Sequence, residues 1–103
     1  MYIYTALKQD GTTEVLDTCK TKWDYKKLSG HIGGFIEIIP SDYYPKGLTG
    51  TVYGHEEGRF NELNHRNPHL LAITDTFGDV WDTVGDLLLE QTEKQNATWL
   101  ATL

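Results

Sequence analysis

The chain has 103 residues, enough for one domain with a single modest core, and its 39% hydrophobic content excludes an intrinsically disordered protein. Fifteen acidic residues outweigh nine basic ones, and the resulting formal charge of −6 disfavours a groove that follows nucleic-acid backbone. A single cysteine excludes an internal disulfide, and no apolar run is long enough for a membrane span, so we expect a cytosolic protein.

The first two elements are predicted to form a β-hairpin. Residues 1–7 are rich in Tyr, Ile and Thr, which favour a pleated strand. Gln9-Asp10-Gly11 has the composition of a tight turn, because Asp and Gly both tolerate the backbone angles that turns require. Residues 12–17 would then return alongside the first strand.

A helix is predicted at residues 21–32. The Thr21 hydroxyl can accept a hydrogen bond from a free amide of the first turn, and Gly33-Gly34 can end the helix in the left-handed conformation. Three large apolar residues fall near one face of this helix: Trp23, Leu28 and Ile32. We expect this face to pack against the strand that follows.

That strand, residues 35–39, carries four apolar residues around one glutamate. This is the pattern of a central strand covered on both faces. Glu37 would then face a packed layer, where a carboxylate must be paired, protonated or in contact with a pocket. Two interpretations stay open: a structural carboxylate paired with Lys, Arg or Tyr, and a polar contact in a binding cleft.

The middle of the chain contains few regular elements. Residues 40–50 are a predicted loop, and residues 51–53 a short strand that leads into a hairpin turn at residues 55–58. Asn67-Pro68 is predicted to begin a second helix, because Asn is a favoured cap and Pro fits the first helical position. Gly78 would end that helix.

Residues 79–91 fit two different structures. The apolar side chains at and just before this segment have helical spacing: Phe77, Trp81, Val84 and Leu88. The run at residues 84–89, however, also has the composition of a strand. Residues 98–103 would follow as a final strand or as a docked tail.

No sequence motif assigns a reaction to the chain. It has no phosphate-binding Gly-rich loop, no His-Glu-x-x-His pair and no nucleophile elbow, so an enzyme is the least favoured class and no cofactor is expected. His65 and His69 are four residues apart, but Pro68 between them favours a helix start over a shared metal-binding face. We therefore predict no metal site.

A dense group of polar residues provides further candidate contacts to a ligand or partner: Asn64, Arg66 and Asn67. The planar guanidinium of Arg66 suits a carboxylate or a phosphate. The structural alternative is that Asn67 caps the predicted helix and Arg66 pairs internally. These three residues and Glu37 are the predicted binding residues.

Six acidic residues recur at intervals of three or four along the C-terminal third of the chain: Asp75, Asp79, Asp82, Asp86, Glu90 and Glu93. On a continuous helix they would line one face. A solvated outer face explains such a row most simply, and a surface that mimics nucleic-acid phosphates is the sharper alternative. The mimic requires this segment to be helical. The row predicts a partner with a basic surface.

Four short elements, taken in order, resemble a small domain of unknown function carried by bacteriophages, plasmids and large algal viruses. They are a Gly-Gly-x-Ile-Glu element at residues 33–37, a Glu-Glu-Gly turn at 56–58, an Asn/Arg element at 63–67 and a Gly-containing apolar run at 84–89. The similarity extends over residues 28–89. It implies a small α+β domain of viral or mobile-element origin and a strand at 84–89, but no established reaction.

The predicted fold is a single α+β domain over residues 1–103, an antiparallel sheet of about five strands with two helices packed on one face. The leading functional hypothesis is a non-enzymatic accessory protein of a virus or mobile element that binds a host protein, in counter-defence or host takeover. The alternatives are a small-molecule- or nucleotide-binding domain built around Glu37 and Arg66, and an acidic nucleic-acid mimic. Homodimerisation also stays open, whereas direct binding of nucleic acid or membrane is not expected.

Overall fold

Five strands form one antiparallel sheet in the computed structural model, which describes residues 1–103. The strands, in chain order, are β1 (Tyr2–Leu7), β2 (Thr13–Cys19), β3 (Ile36–Ile39), β4 (Thr51–His55), β5 (Ile73–Thr74), β6 (Val80–Trp81) and β7 (Leu87–Thr92). The helices are α1 (Tyr25–Ile32) and α2 (Glu93–Leu100). The large sheet has the order β2-β1-β7-β4-β3, and β5 pairs with β6 as a separate short hairpin. The predicted α+β class and five-stranded antiparallel sheet are confirmed.

The predicted first hairpin is also confirmed, with β1 and β2 pairing around the expected turn. Asp10 fixes that turn, because its Oδ1 accepts hydrogen bonds from the N–H and the hydroxyl of Thr12 at 2.9 and 2.6 Å. Gly11 follows with a φ of 91°, a conformation that glycine adopts at little cost.

β7 is the central strand of the sheet and is covered on both faces. It pairs with β1 on one side and with β4 on the other. Its side chains alternate, so Leu87 and Leu89 join one buried cluster while Leu88 joins the other. The ambiguous segment 79–91 is therefore not a helix, and its main strand begins at Leu87 rather than at residue 84.

The two helices lie on opposite faces of the sheet, not on the single face predicted. Leu28 of α1 packs with Tyr4 and Leu88 on one face, whereas Trp99 of α2 packs with Leu89 on the other. The sequence of β7 explains the difference. A strand with consecutive apolar residues has apolar surface on both faces, and each face needs a cover.

α1 begins later than predicted, because Asp24 rather than Thr21 caps it. The Asp24 carboxylate accepts a hydrogen bond from the backbone N–H of Lys27 at 2.8 Å. The helix ends as predicted at Gly33, which has a φ of 91° and donates its N–H to the Ser29 carbonyl at 2.8 Å.

Trp23 lies before α1 and packs against the sheet. Its ring stacks on Tyr4 with centroids 4.2 Å apart, and its Nε1–H donates to Asp17 Oδ2 at 2.8 Å. This hydrogen bond holds the pKa of Asp17 below its ordinary value. The predicted packing of the helix face is confirmed only in part. Leu28 is buried, but the other buried members of its cluster belong to β1, β4 and β7, and of the predicted strand only Ile36 packs at the margin, beside Ile32.

β3 is an edge strand, whereas its apolar pattern predicted a central one. It pairs only with β4. Ile39 is buried, but Phe35 just before the strand is 68% exposed and Ile38 is 63% exposed. The prediction was wrong because apolar composition does not determine how many neighbouring strands a segment finds.

Tyr44 bridges the last residue pair of β3 and β4. Its hydroxyl donates to the Ile39 carbonyl at 2.9 Å and accepts from the Val52 N–H at 2.9 Å. Ile39 and Val52 are opposite each other in the ladder, so the phenol occupies the space between their backbones. Burial raises the pKa of Tyr44 above its ordinary value.

No helix begins at Asn67, contrary to the prediction. Asn67 is fully buried, and its Nδ2 donates to the carbonyls of Leu7 at 2.8 Å and Gly85 at 2.9 Å. Its Oδ1 accepts from the His69 N–H at 2.9 Å. The Asn67 side chain does make a local bond to a following amide, but its main contacts connect β1 to the segment before β7.

α2 (Glu93–Leu100) overlaps the first three residues of the segment 98–103, for which a final strand or docked tail was predicted, and no strand forms there. Thr92 and Gln95 form a capping box, in which the Gln95 N–H donates to Thr92 Oγ1 at 3.2 Å and the Thr92 N–H donates to Gln95 Oε1 at 2.9 Å. Neither α1 nor α2, each of eight residues, is long and apolar enough to cross a membrane.

Candidate functional site

A small polar cleft lies where β3 and β4 meet the segments 58–60 and 82–84. Its volume is about 40 Å³. We call it the polar cleft and define it by six polar residues that line it: Glu37, His55, Glu56, Arg59, Asp82 and Thr83.

Gly54 allows two apolar side chains to pack closely under the cleft. In the β3–β4 register Glu37 lies opposite Gly54. A Cβ at Gly54 would lie 3.0 Å from the Leu87 side chain and 3.4 Å from that of Ile39. The close packing beneath Gly54 thus forms the floor of the cleft, and Glu37 stands at its rim.

Asp82 closes one side of the cleft by pairing with two arginines. Its Oδ1 is 3.5 Å from Arg59 Nη1 and its Oδ2 is 4.0 Å from Arg66 Nε, while its carbonyl accepts a hydrogen bond from Arg59 Nη2. Both arginine side chains are about half exposed, so each ion pair contributes only about 0–1 kcal/mol to stability. The contacts of Arg59 with Asp82 connect the turn at 58–60 to the segment before β7.

Several acceptors in the cleft have no partner. Thr83 is only 7% exposed, and its hydroxyl makes no hydrogen bond. Glu37 and Glu56 form no hydrogen bond or ion pair with their side chains, and both are exposed at the rim. A buried hydroxyl without a partner costs about 1–3 kcal/mol, and Thr83 shares this state with Thr5 of β1, which is 2% exposed.

His55 turns the chain out of β4. Its Nδ1 accepts a hydrogen bond from the Glu57 N–H at 3.0 Å, so in the neutral ring the proton is on Nε2. The ring packs so closely on Gly34 that a Cβ there would lie 2.6 Å from Nε2. The hairpin predicted at residues 55–58 is absent, because the chain continues into a single 3-10 turn, Gly58–Phe60, instead of a return strand.

A wider depression adjoins the polar cleft and shares His55 and Gly58 with it. Its volume is about 440 Å³, and Asn64, Asp86 and the exposed ring of Phe60 line it. Asn64 Nδ2 donates to the Gly58 carbonyl at 2.7 Å, so this residue both supports the turn and faces the depression.

The structure separates the four predicted binding residues. Glu37 lines the polar cleft and Asn64 lines the wider depression. Arg66 pairs with Asp82 and lines neither of them, and Asn67 is buried in the scaffold. Glu37 and Arg66 therefore do not share a cavity, as a small-molecule site built around both would require.

The six acidic residues of the C-terminal third do not line one face, because their segment is not a continuous helix. Asp75 and Asp79 lie at the β5–β6 hairpin. There Asp75 accepts hydrogen bonds from Trp81 Nε1 at 2.9 Å and the Phe77 N–H at 2.8 Å, and the bond from Trp81 in particular lowers its pKa. The predicted helical row was wrong, and the nucleic-acid mimic that required it loses its geometric basis.

The other four acids of that row occupy separate environments. Asp82 lines the polar cleft, and Asp86 Oδ1 accepts from the Gln9 N–H at 2.8 Å. Glu93 lies in the first turn of α2, where a carboxylate interacts favourably with the helix dipole. Glu90 is part of the sheet interior.

Glu90 forms a buried polar network that the sequence did not predict. It is 6% exposed, and its carboxylate accepts from the Tyr4 hydroxyl at 2.6 Å and the Tyr53 hydroxyl at 3.4 Å, with Lys22 Nζ at 3.7 Å. Burial and the hydrogen bond to Glu90 raise the pKa of Tyr4 far above its ordinary value. Glu90 therefore stabilises the interior and is not part of an acidic surface.

Sequence reasoning missed three residues of the polar cleft: Arg59, Thr83 and the backbone of Gly54. Each reaches the cleft through pairings between distant segments, so no local pattern marks it. Glu56 lay in the turn that carries the resemblance, although nothing there indicated a role. No group of three or more His, Cys, Asp or Glu side chains is arranged to hold a metal ion.

Comparison with known proteins gives no relative, since no family model, no curated protein and no solved structure matches the chain. The resemblance to the phage and plasmid domain therefore stays a prediction. The function has to be inferred from the geometry of the chain itself.

Proposed function

We propose that this chain is a non-enzymatic accessory protein of a virus or mobile genetic element, and that it binds a host protein in the host cytosol. The observation that supports this best is the open edge of β3, where a strand of another protein can pair. The resemblance to the phage and plasmid domain supports an accessory role in counter-defence or host takeover.

The backbone of β3 has unpaired groups along its outer side. The Glu56 N–H donates to the Phe35 carbonyl at 2.9 Å, and hydrogen-bonded residues alternate along an antiparallel pair. The N–H and C=O groups of Ile36 and Ile38 therefore point away from β4. Such a row is the template on which an extended peptide adds a strand.

Exposed apolar side chains lie along this edge. Ile38 points to the face covered by α1, and Phe35, just before β3, is exposed beside the end of α1. Tyr25 of α1 is also exposed and stands across a shallow groove from Phe35. Covering these side chains would contribute about 25 cal/mol per Å² of apolar area removed from water.

The opposite edge of the sheet, β2, is protected in ways that β3 is not. Its pairing with β1 shifts register between Tyr4 and Thr5, and such a bulge twists an edge away from a neighbouring strand. Glu14 and Asp17 add charge along β2, whereas β3 carries Glu37 alone. We infer that a partner strand docks on β3.

Charge supports a basic partner surface. The chain carries a formal charge of −6, and Glu37 and Glu56 are unpaired at the β3–β4 end. Electrostatic attraction between these carboxylates and a basic partner would speed association. The association rate would fall as salt rises, because salt screens charges beyond about 8 Å at physiological ionic strength.

A matched pair of lysine substitutions on the two edges tests the proposal. Ile38→Lys on β3 and Val15→Lys on β2 replace side chains that are 63% and 62% exposed, so both variants are expected to fold. The tagged protein is crosslinked in host cells, the partner is identified by mass spectrometry, and its purified form is titrated by calorimetry. We expect Ile38→Lys to weaken binding by about tenfold or more, and Val15→Lys to change it little.

Equal binding by the wild type and both variants would contradict docking on β3. Failure to crosslink any stoichiometric host protein would contradict the proposed function. Light scattering of the pure protein identifies the homodimer outcome: a dimer that Ile38→Lys, but not Val15→Lys, converts to a monomer would assign the β3 edge to a second copy of this chain.

A further inference from the structure

We propose that the tip of the β5–β6 hairpin inserts Phe77 into an apolar pocket with a basic rim on the host partner. The hairpin tip is residues 75–79, and Phe77 is its central residue. This surface is separate from the β3 edge, and the inference rests on the proposed function only in that the pocket belongs to a host protein. It is carried by a fixed turn that holds a large apolar side chain in water.

Asp75 holds the hairpin tip in one conformation. Its Oδ1 accepts hydrogen bonds from the N–H groups of Phe77 at 2.8 Å and Asp79 at 3.0 Å. Its Oδ2 accepts from Trp81 Nε1 at 2.9 Å, and its backbone N–H donates to the Asp79 carbonyl at 2.9 Å. Strands of two residues each are marginal by themselves, so these bonds rather than strand pairing fix the tip.

The side chains on this hairpin are largely apolar and exposed. Phe77 is 90% exposed, Val80 63% and Trp81 49%. The hairpin pairs with no strand of the main sheet. Single exposed apolar residues are common on protein surfaces, but three within residues 77–81 form a patch, and such patches mark interaction sites.

Phe77 has the properties of an anchor residue. A few aromatic side chains that fill pockets in the partner supply most of the binding energy of many protein interfaces. A segment that is ordered before it binds also avoids the entropy cost of becoming ordered in the complex. Because Asp75 fixes the backbone of the tip, only the side chain of Phe77 remains to be ordered.

The charge around the tip favours a pocket with a basic rim. The chain has no Lys or Arg between Arg66 and Lys94. Asp75 is engaged within the turn, whereas the side chain of Asp79 is exposed and makes no hydrogen bond or ion pair. A lysine or arginine at the rim can pair with Asp79 while the pocket encloses Phe77. An anionic membrane surface would instead repel this tip.

Site-specific photo-crosslinking in host cells tests the contact. The probe is p-benzoylphenylalanine in place of Phe77, and the control is the same probe in place of Phe60. Phe60 is 84% exposed and lies outside the hairpin, in the 3-10 turn Gly58–Phe60. We expect one host protein to be crosslinked from position 77 and much less of it from position 60. No crosslink from position 77 would overturn the proposal.

Calorimetry with the purified partner measures the anchor. Phe77→Ser should weaken binding by about thirtyfold or more, as loss of a central aromatic contact does, and Phe60→Ser should change it little. Asp75→Ala keeps Phe77 but frees the turn, and we expect about a tenfold loss. The urea midpoint of Phe77→Ser should equal that of the wild type, because the side chain is already in water.

A matched pair of charge changes tests the basic rim. Asp79→Lys and Glu62→Lys alter the net charge equally at two exposed positions. We expect Asp79→Lys to weaken binding about tenfold, and by less as salt rises, whereas Glu62→Lys changes it less than about threefold. Equal losses would overturn the basic rim.

Two other occupants are outcomes that would also overturn the host pocket. A dimer in light scattering that Phe77→Ser converts to a monomer would assign the tip to a second copy of this chain. Sedimentation with phosphatidylcholine vesicles that Phe77→Ser abolishes would assign it to a membrane.

The failure of the anchor and that of the proposed function can be told apart. If Ile38→Lys loses the partner but Phe77→Ser binds it as tightly as the wild type, docking on β3 stands and the anchor falls. The reverse result would leave the anchor and overturn docking on β3.

Discussion

β7 and β3 each contain three branched apolar residues and one glutamate, and they hold opposite positions in the sheet. β7 (Leu87–Thr92) begins with three leucines and ends in polar residues, whereas β3 (Ile36–Ile39) has three isoleucines around Glu37. β7 has a strand on each side and a helix over each face, and its first five residues are all buried. β3 has one neighbour, and only Ile39 is buried. Position in the sheet, not composition, separates a core strand from a candidate docking edge.

The two glutamates show the same contrast. Glu90 of β7 is buried and accepts hydrogen bonds from two tyrosines, Tyr4 and Tyr53. Glu37 of β3 is exposed and has no partner of its own. A carboxylate inside the sheet has to be satisfied by the protein, whereas one at the edge is free for a ligand.

The largest expected effect comes from truncating a buried side chain in the central strand, β7. Leu88 is fully buried among Tyr4, Leu28 and Tyr53, so Leu88→Ala should destabilise the protein by about 3–5 kcal/mol. Ile38→Ala on the edge should cost less than about 1 kcal/mol, because most of that side chain is already in water. Urea unfolding followed by tryptophan fluorescence measures both. Equal losses would abolish the distinction between centre and edge.

The next largest effect comes from Asn67, whose side chain connects the segment before β7 to β1. Asn67→Ala removes the donor to the carbonyls of Leu7 and Gly85, which stay buried, so we expect a loss of about 2–4 kcal/mol. Asn64→Ala is the matched control on the cleft side. It removes one bond to the Gly58 carbonyl, and its cost should be about 1 kcal/mol. A smaller loss for Asn67→Ala than for Asn64→Ala would contradict the scaffold role of Asn67.

The smallest effect depends on pH. The folded protein raises the pKa of Tyr4, mainly through burial and the hydrogen bond to Glu90, so the native state keeps a proton that the unfolded state releases. The stability that this provides is present below the ordinary tyrosine pKa of about 10 and is lost as the pH rises above it. Tyr4→Phe should cost about 1–2 kcal/mol at neutral pH and make the alkaline loss less steep. Urea unfolding between about pH 8 and 11 checks both, with Tyr25→Phe as an exposed control.

Elements set by local chemistry could be predicted from the sequence. The turn at Asp10-Gly11 and the helix end at Gly33 depend on residues that contact each other within a few positions. The capping box of Thr92 and Gln95 is equally local, but it was not predicted, because no element was assigned to the residues between 91 and 98. Local signals are sufficient for such elements.

Features that depend on distant partners could not be predicted in the same way. Asn67-Pro68 has the local signature of a helix start, but the amide of Asn67 found buried acceptors on Leu7 and Gly85. Glu37 could be selected as unusual, whereas Thr83 reaches the polar cleft only because the chain before β7 returns beside β4. Sheet order decides these contacts, and no short window of sequence contains it.

The phenol of Tyr44 between β3 and β4 limits how the edge strand can slip. A shift of β3 by two residues would keep its side chains on their present faces, so burial alone resists it weakly. In the observed register the Tyr44 hydroxyl donates to the Ile39 carbonyl and accepts from the Val52 N–H. The shift would move the Ile39 carbonyl away from that hydroxyl and break the first of these bonds. Tyr44 therefore fixes the register of β3 against β4. It holds Glu37 opposite Gly54, and a strand that docks on β3 meets a fixed sequence of side chains.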